Sequence, residues 1–195
     1  MIAYIEGKLV EKTPTYAVID CAGVGYMIHI SLNTFSKIKD IEKCKLFIHF
    51  AIKEDAHTLY GFYDEYERKI FRLLISVSGV GASTARMILS SLNSDEIQIA
   101  IKSGDVATLR KVKGIGEKSA QRIIVDLKDK MDKDVVLKDF SSSLQNNFKN
   151  EAISALVLLG FNKNIAEKAI EKATKTMDIN NLKLETIIKE ALKIL

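Results

Sequence analysis

Tryptophan is absent from this 195-residue chain, proline occurs once and cysteine twice. The single proline, Pro14, falls between the first two strand-like stretches, where a missing backbone donor costs nothing. Cys21 and Cys44 lack metal-ligand spacing, and His29, His49 and His57 do not complete a set with them. Neither a metal centre nor a disulfide scaffold is expected, and reduced thiols are the default. No apolar run is long enough to span a membrane. The chain begins MIAYIEGKLV, an alternating stretch unlike a charged-then-apolar leader, so a cytoplasmic location is expected. The Gly-Lys-Ser/Thr phosphate loop of nucleotide hydrolases is also missing, and no cofactor is expected.

Charge of one sign is scarce as well. The net charge is +4, residues 1–63 carry as many acids as bases, and no segment is a polybasic tail. A polyanion would therefore be held by placed donors rather than by a diffuse field. A strong complex would need several copies of such a surface, which favours an oligomer.

What the chain does have is a repeat. Leu74-x-x-Val77-x-Gly79-Val80-Gly81-x-x-x-Ala85-x-x-Ile88-Leu89 recurs as Leu109-x-x-Val112-x-Gly114-Ile115-Gly116-x-x-x-Ala120-x-x-Ile123-Ile124, 35 positions later. A unit used twice in this way is a supersecondary module. Leu74 and Val77, like Leu109 and Val112, lie one helical turn apart and mark the buried face of an incoming helix. The glycines allow positive φ or close approach of a ligand to the backbone. Val80 and Ile115 can tuck inward and pin the turn, and Ala85 and Ala120 let the second helix pack closely. The outward side is then a turn and a helix start rich in free N–H groups, which favours an anion. This is the logic of a helix-hairpin-helix that grips phosphate without reading bases. The candidate phosphate-binding residues are Gly79, Val80, Gly81, Ser83, Thr84, Gly114, Ile115, Gly116, Lys118, Ser119 and Arg122. Lys113 stands beside the second turn, and Arg86 is the cation nearest the first.

Residues 1–63 read as short strands with turns between them, a small closed barrel. Residues 64–133 read as helical, with Ser94-Asp95-Glu96 and Ser103-Gly104-Asp105 as helix starts. Residues 134–150 lose the apolar period and read as a flexible linker. Residues 151–195 read as a small bundle of three helices, near the lower size limit for independent folding and better suited to docking than to catalysis. The fold class is thus α+β and multidomain.

Two rival readings attach to particular residues. A helix-hairpin-helix DNA repair enzyme, a glycosylase or lyase, would use a catalytic Asp near a hairpin. Asp105 qualifies only superficially, since it precedes the second hairpin and sits where a helix cap belongs. A single-strand-binding barrel would stack bases on exposed Tyr60, Phe62 or Tyr63, yet Leu59–Phe62 reads as a closing core strand.

The AGVGY turn at Ala22–Tyr26, KEDAHTLYGF at Lys53–Phe62, SGVG at Ser78–Gly81, KGIGEKSAQRIIVDLKDK at Lys113–Lys130 and Leu159-Gly160-Phe161 together resemble the RuvA family of Holliday-junction-binding proteins. The resemblance covers the whole chain. Ala82 and Lys113 depart from it, standing where many relatives have proline, which affects loop stiffness only. The resemblance implies an OB-fold barrel, a tandem helix-hairpin-helix domain and a UBA-like third domain. It also implies a homotetramer, single or doubled to an octamer, that holds a four-way junction open and square-planar. Other implied partners are the RuvB ATPase ring, docked by the third domain, and the RuvC resolvase. The implied setting is recombination, DNA repair and the SOS response, with hydrolysis left to RuvB. Glu54 and Asp55, adjacent carboxylates at a hairpin tip, correspond to the family's central acidic pin. Leu156, Leu159 and Phe161 fall where the motor would dock, and could equally be the core of that domain.

Overall fold

The computed structural model describes residues 1–38, 41–135, 144–175 and 184–195. They divide into two compact units, 1–134 and 135–195.

Five strands open the first unit: β1 (Tyr4–Lys12), β2 (Tyr16–Cys21), β3 (Val24–Ile30), β4 (Lys43–Ile52) and β5 (His57–Phe62). They close into a barrel in the order β1-β2-β3-β5-β4, with β3 and β5 parallel and the other pairs antiparallel. This is the OB arrangement. Alternate residues face inward: Ala17, Ile19, Ile28, Ile30, Leu46 and Ile48 are all buried. The β2–β3 turn takes two residues, Ala22 and Gly23, at φ 54° and 90°. Such a turn matches the strand twist, and Gly23 N–H donates to the Asp20 carboxylate at 3.0 Å to hold it.

A short helix, α1 (Leu32–Lys37), follows β3. The barrel segment was expected to hold strands alone, so α1 is a correction. The local signal was Ser31, whose hydroxyl caps the helix by accepting from Thr34 N–H at 3.0 Å. The same two side chains secure the next element, α2 (Glu65–Ile75). Glu67 on α2 is 1% exposed, and its carboxylate accepts from Ser31 Oγ at 2.5 Å and Thr34 Oγ1 at 2.8 Å. Thr34 Oγ1 in turn accepts from Tyr63 N–H. Phe71 of α2 meets Phe62, Tyr60 and His49 with ring centroids 4.9, 5.2 and 5.3 Å away. Tyr60 and Phe62 are therefore committed to the joint between barrel and helices, which removes them as a base-stacking surface. Barrel and helices are fastened as one body.

Burial pushes the Glu67 carboxyl above its ordinary value, against the lowering effect of the two hydroxyl donors. A raised folded-state pKa means the folded protein binds the proton more tightly than the unfolded chain does. The associated stability is complete below the ordinary carboxyl pKa and is lost as pH rises through the folded one. Wild-type stability is therefore expected to fall with rising pH across that window. Glu67→Gln, followed by urea denaturation across pH 4 to 8, should remove this component and flatten the profile.

The helical part of the unit continues with α3 (Ala82–Ser91), α4 (Ser94–Ser103), α5 (Val106–Arg110) and α6 (Glu117–Val135). α4 is capped by Asn93 rather than by Ser94: Asn93 accepts from Glu96 N–H at 2.9 Å, and Glu96 accepts from Asn93 N–H at 2.8 Å. This capping box needs an acid at the third helical position, and counting back from Glu96 places the cap one residue earlier than expected. Asp105 caps α5 as expected.

The second unit holds α7 (Leu144–Leu158), α8 (Lys163–Lys175) and α9 (Leu184–Ile194). Its core is formed by Ala152, Leu156, Ala166, Ala169, Ile170, Ala173, Ile187 and Ala191. Small residues predominate there, so the helices approach closely. Of the expected linker 134–150, residues 136–143 lie outside the described residues. Residues 144–150 form the first half of α7, since their polar side chains do not break a helix.

Candidate nucleic-acid interface

The repeated sequence folds into a repeated backbone. Val77 N–H donates to Leu74 C=O at 3.1 Å and Val112 N–H to Leu109 C=O at 3.2 Å. Val80 N–H then donates to Val77 C=O at 3.0 Å, and Ile115 N–H to Val112 C=O at 3.1 Å. Ala85 and Ala120 N–H reach back to Gly81 and Gly116 C=O, each at 2.9 Å. Gly79 and Gly114 have φ of 87° and 90°, a region costly for any residue with a Cβ. Val80 and Ile115 are buried and pin the turns, while Gly79, Gly81, Gly114 and Gly116 are exposed. Ser83 and Lys118 are exposed and Thr84 and Ser119 half-buried, at matching places in the two copies.

The second glycine of each turn does different work from the first. Gly81 has φ −82° and ψ 168°, ordinary extended backbone, and is the N-cap of α3. The helices α1, α2, α4 and α5 are capped by Ser31, Asp64, Asn93 and Asp105, each accepting the N–H three residues on. α3 has no side-chain cap. Gly cannot supply one, so no side chain caps the N–H groups that open α3 at the positive end of the helix dipole. A Cβ at Gly81 or Gly116 would meet nothing within 4 Å. Packing within the chain therefore does not demand glycine at either place. The first turn is the wall of a shallow groove lined by Ile75, Ser76, Val77, Ser78, Gly79, Val80 and Gly81.

The cations are arranged less evenly. Lys113 and Lys118 are exposed at the second turn. Arg110 of α5 pairs with Glu117 of α6 at 3.1 Å, bracing that turn from outside. Arg122 reaches across to the first hairpin, where its Nη1 donates to Ser78 C=O at 3.3 Å. Arg86 was expected to serve the first turn, but its guanidinium points to the barrel instead. It donates to Thr15 C=O at 3.1 Å and lies 3.2 Å from His29 Nδ1. Burial and the Arg86 charge both lower the His29 pKa, so a neutral ring accepting from Arg86 fits the geometry. These contacts join residues 44 to 71 positions apart, and no local pattern announces them.

Glu54 and Asp55 lie exposed in the β4–β5 turn, which Lys53 N–H closes on Ala56 C=O at 2.9 Å. The ladder ends at the Ile52–His57 pair just below them. In the second unit Leu156 is wholly buried and Phe161 packs half-buried against the same core, whereas Leu159 is 62% exposed beside Leu158 at 88%. Asp105 accepts both the N–H and the hydroxyl of Thr108, at 3.0 and 2.6 Å. Those bonds hold its carboxyl below the ordinary value, the wrong direction for a general base. Among the described residues, no group of three or more His, Cys, Asp and Glu is placed to hold a metal, and no helix is long and apolar enough to cross a membrane.

Comparison with known proteins gives three family matches in chain order. Residues 1–61 match the RuvA N terminal domain, 71–129 the SAM-like helix-hairpin-helix tandem, and 147–195 the RuvA C-terminal domain. Among curated relatives, the Holliday junction branch migration complex subunit RuvA of Christiangramia forsetii is 54% identical over 193 residues, covering 99% of each chain. The protein of that name from Flavobacterium psychrophilum is also 54% identical over 193 residues, and that from Cytophaga hutchinsonii is 50% identical over 199. Each of these two matches likewise covers 99% of both chains.

Proposed function

The chain belongs to the RuvA family, and on that premise we propose that it binds four-way DNA junctions as the non-catalytic subunit of a branch-migration complex. The observation that carries the binding mode is the pair of matched turns, each ending in a glycine with open space beside it, the first of which leaves the α3 N-terminus without a side-chain cap. The backbone N–H groups after Gly81 and Gly116 take phosphate oxygens, with Ser83, Thr84, Lys118, Ser119 and Arg122 around them. Contacts of this kind fix orientation and carry no base information. Recognition then rests on how several copies set the directions of the arms. A homotetramer, alone or as a facing pair, supplies those copies, in the cytoplasm.

The domains divide the work as 1–63 for assembly, 64–133 for DNA, and the helices α7, α8 and α9 of the second unit for docking the RuvB ATPase. The exposed Leu159 is the contact, with Leu158 beside it, while Leu156 and Phe161 support it from the core side. RuvC is a further partner on the same junction. The repair-enzyme alternative is disfavoured, because Asp105 is occupied as a helix cap. Incubation with uracil-containing or abasic-site DNA should give no strand scission, and scission above background would reinstate that alternative.

Glu54 and Asp55 act as the acidic pin. Around a four-fold axis the exposed pairs gather at the crossover and repel phosphates there. One such repulsion at ~10 Å in water is well under 1 kcal/mol, but several act together where DNA excludes solvent. Glu54→Gln with Asp55→Asn is expected to change the branch-migration rate and leave junction affinity the same or higher. An unchanged rate in a motor-driven strand-exchange assay would remove this role.

A further inference from the structure

The two hairpins are alike in backbone and unlike in charge. Taking positions 35 apart, Lys113 corresponds to Ser78, Lys118 to Ser83 and Arg122 to Met87. The second hairpin therefore has three cations where the first has none. The arginine on α3 that could have made up the difference, Arg86, is held on the barrel by Thr15 C=O and His29. Arg122 alone crosses the other way: it starts on the helix of the second hairpin and ends on the Ser78 carbonyl of the first. Ser78 lies in the groove of the first turn, immediately before the positive-φ glycine.

We infer that Arg122 is a cation lent by the second hairpin to the first, and that the phosphate held at the start of α3 is gripped jointly by the α3 backbone and this guanidinium. The inference rests on the phosphate-binding reading above. A guanidinium has five donors in a fixed fork. One is used on Ser78 C=O, and the side chain is exposed and forms no ion pair among the described residues. The remaining donors are free for phosphate oxygens, the acceptors this fork fits best. Placement beside Ser78 also has an electrostatic consequence. A carbonyl at the mouth of an anion site repels the anion, and the guanidinium between the two offsets that repulsion. The two hairpins are then a single composite site, because the first has no cation at the three matching positions, Ser78, Ser83 and Met87.

The test is a titration of the full chain against a fluorescent four-way junction at several salt concentrations, using wild type, Arg122→Gln, Ser83→Lys and the double variant. Arg122→Gln is expected to weaken binding roughly tenfold or more and to make the log–log salt slope shallower by about 0.9 for each phosphate that the guanidinium neutralises. Ser83→Lys restores a cation to the first hairpin. In the Arg122→Gln background it should recover most of the affinity and most of the slope, a larger gain than the same substitution gives in wild type. Ile99→Lys, an exposed position on α4 outside both hairpins, should recover neither. A purely structural role for Arg122 in holding the turn would not be rescued by charge at position 83. If Ser83→Lys improves wild type and Arg122→Gln by the same factor, Arg122 serves its own hairpin only and the inference is wrong. If wild type shows no salt-dependent junction binding, the phosphate reading itself fails and takes this inference with it.

Discussion

Replacing Gly81 and Gly116 together by aspartate is expected to abolish DNA binding while leaving the protein at least as stable as before. The two effects have opposite signs for one reason. Both positions have ordinary negative-φ backbone and open space where a Cβ would sit, so the fold accepts a side chain. Aspartate is among the best N-cap residues and glycine a weaker one, worth a difference of a few tenths of a kcal/mol per helix. The new carboxylate would fold over the N–H groups of the helix start, as Asp64 and Asp105 already do for α2 and α5. In doing so it would occupy the anion site and put a negative charge against the phosphate. Two unit charges at ~4 Å with an effective dielectric near 20 repel by about 4 kcal/mol. Even strongly reduced by solvent, this means a drop in affinity of about a hundredfold or more. Thermal unfolding and junction titration of the same preparation check both halves. A destabilised protein, or one that still binds, would contradict the account of these turns.

Gly7→Ala is expected to be the most damaging single methyl group that can be added to the barrel. Gly7 lies on β1 between Cys44 of β4 and the end of β2. A Cβ there would sit 2.1 Å from Asp20 C=O and 3.0 Å from Cys21 Sγ. The first clash is with backbone already committed to the β2 edge, so no rotamer change relieves it. Ordinary overpacking costs about 1–3 kcal/mol, and this site should reach or exceed the upper end. Folding at physiological temperature would then be compromised. Gly116→Ala, where nothing lies within 4 Å, is the matched control and should unfold within a few tenths of a kcal/mol of wild type. Urea denaturation of the two variants separates them, and equal midpoints would show that β1 and β2 can part without cost.

Much of this was readable from local pattern. The hairpin turns were legible because their chemistry is local: two glycines, one tucked apolar residue and a small residue four positions on specify the backbone nearly alone. The short strand-like stretches of residues 1–63, set off by turns, read as a barrel for a similar reason. Helix α1 escaped because six residues are too few for a helical period, leaving only Ser31 as a signal. Glu67 escaped because an acid on an amphipathic helix reads as solvated until its distant partners, Ser31 and Thr34, are known. Arg86 and Arg122 are the clearest cases. Sequence position assigned each to its own hairpin, and tertiary contacts send one to the barrel and the other to the opposite hairpin.

The most direct test of the central claim is a titration of the purified chain against a synthetic four-way junction and a duplex of matched sequence, repeated over several salt concentrations. The account expects strong preference for the junction and a stoichiometry of four chains, or a multiple of four, per junction. It also expects a log–log salt slope shallower than about −0.9 for each phosphate held, because part of the grip comes from backbone N–H groups. Equal affinity for junction and duplex would contradict it and leave only a general binder of DNA backbone.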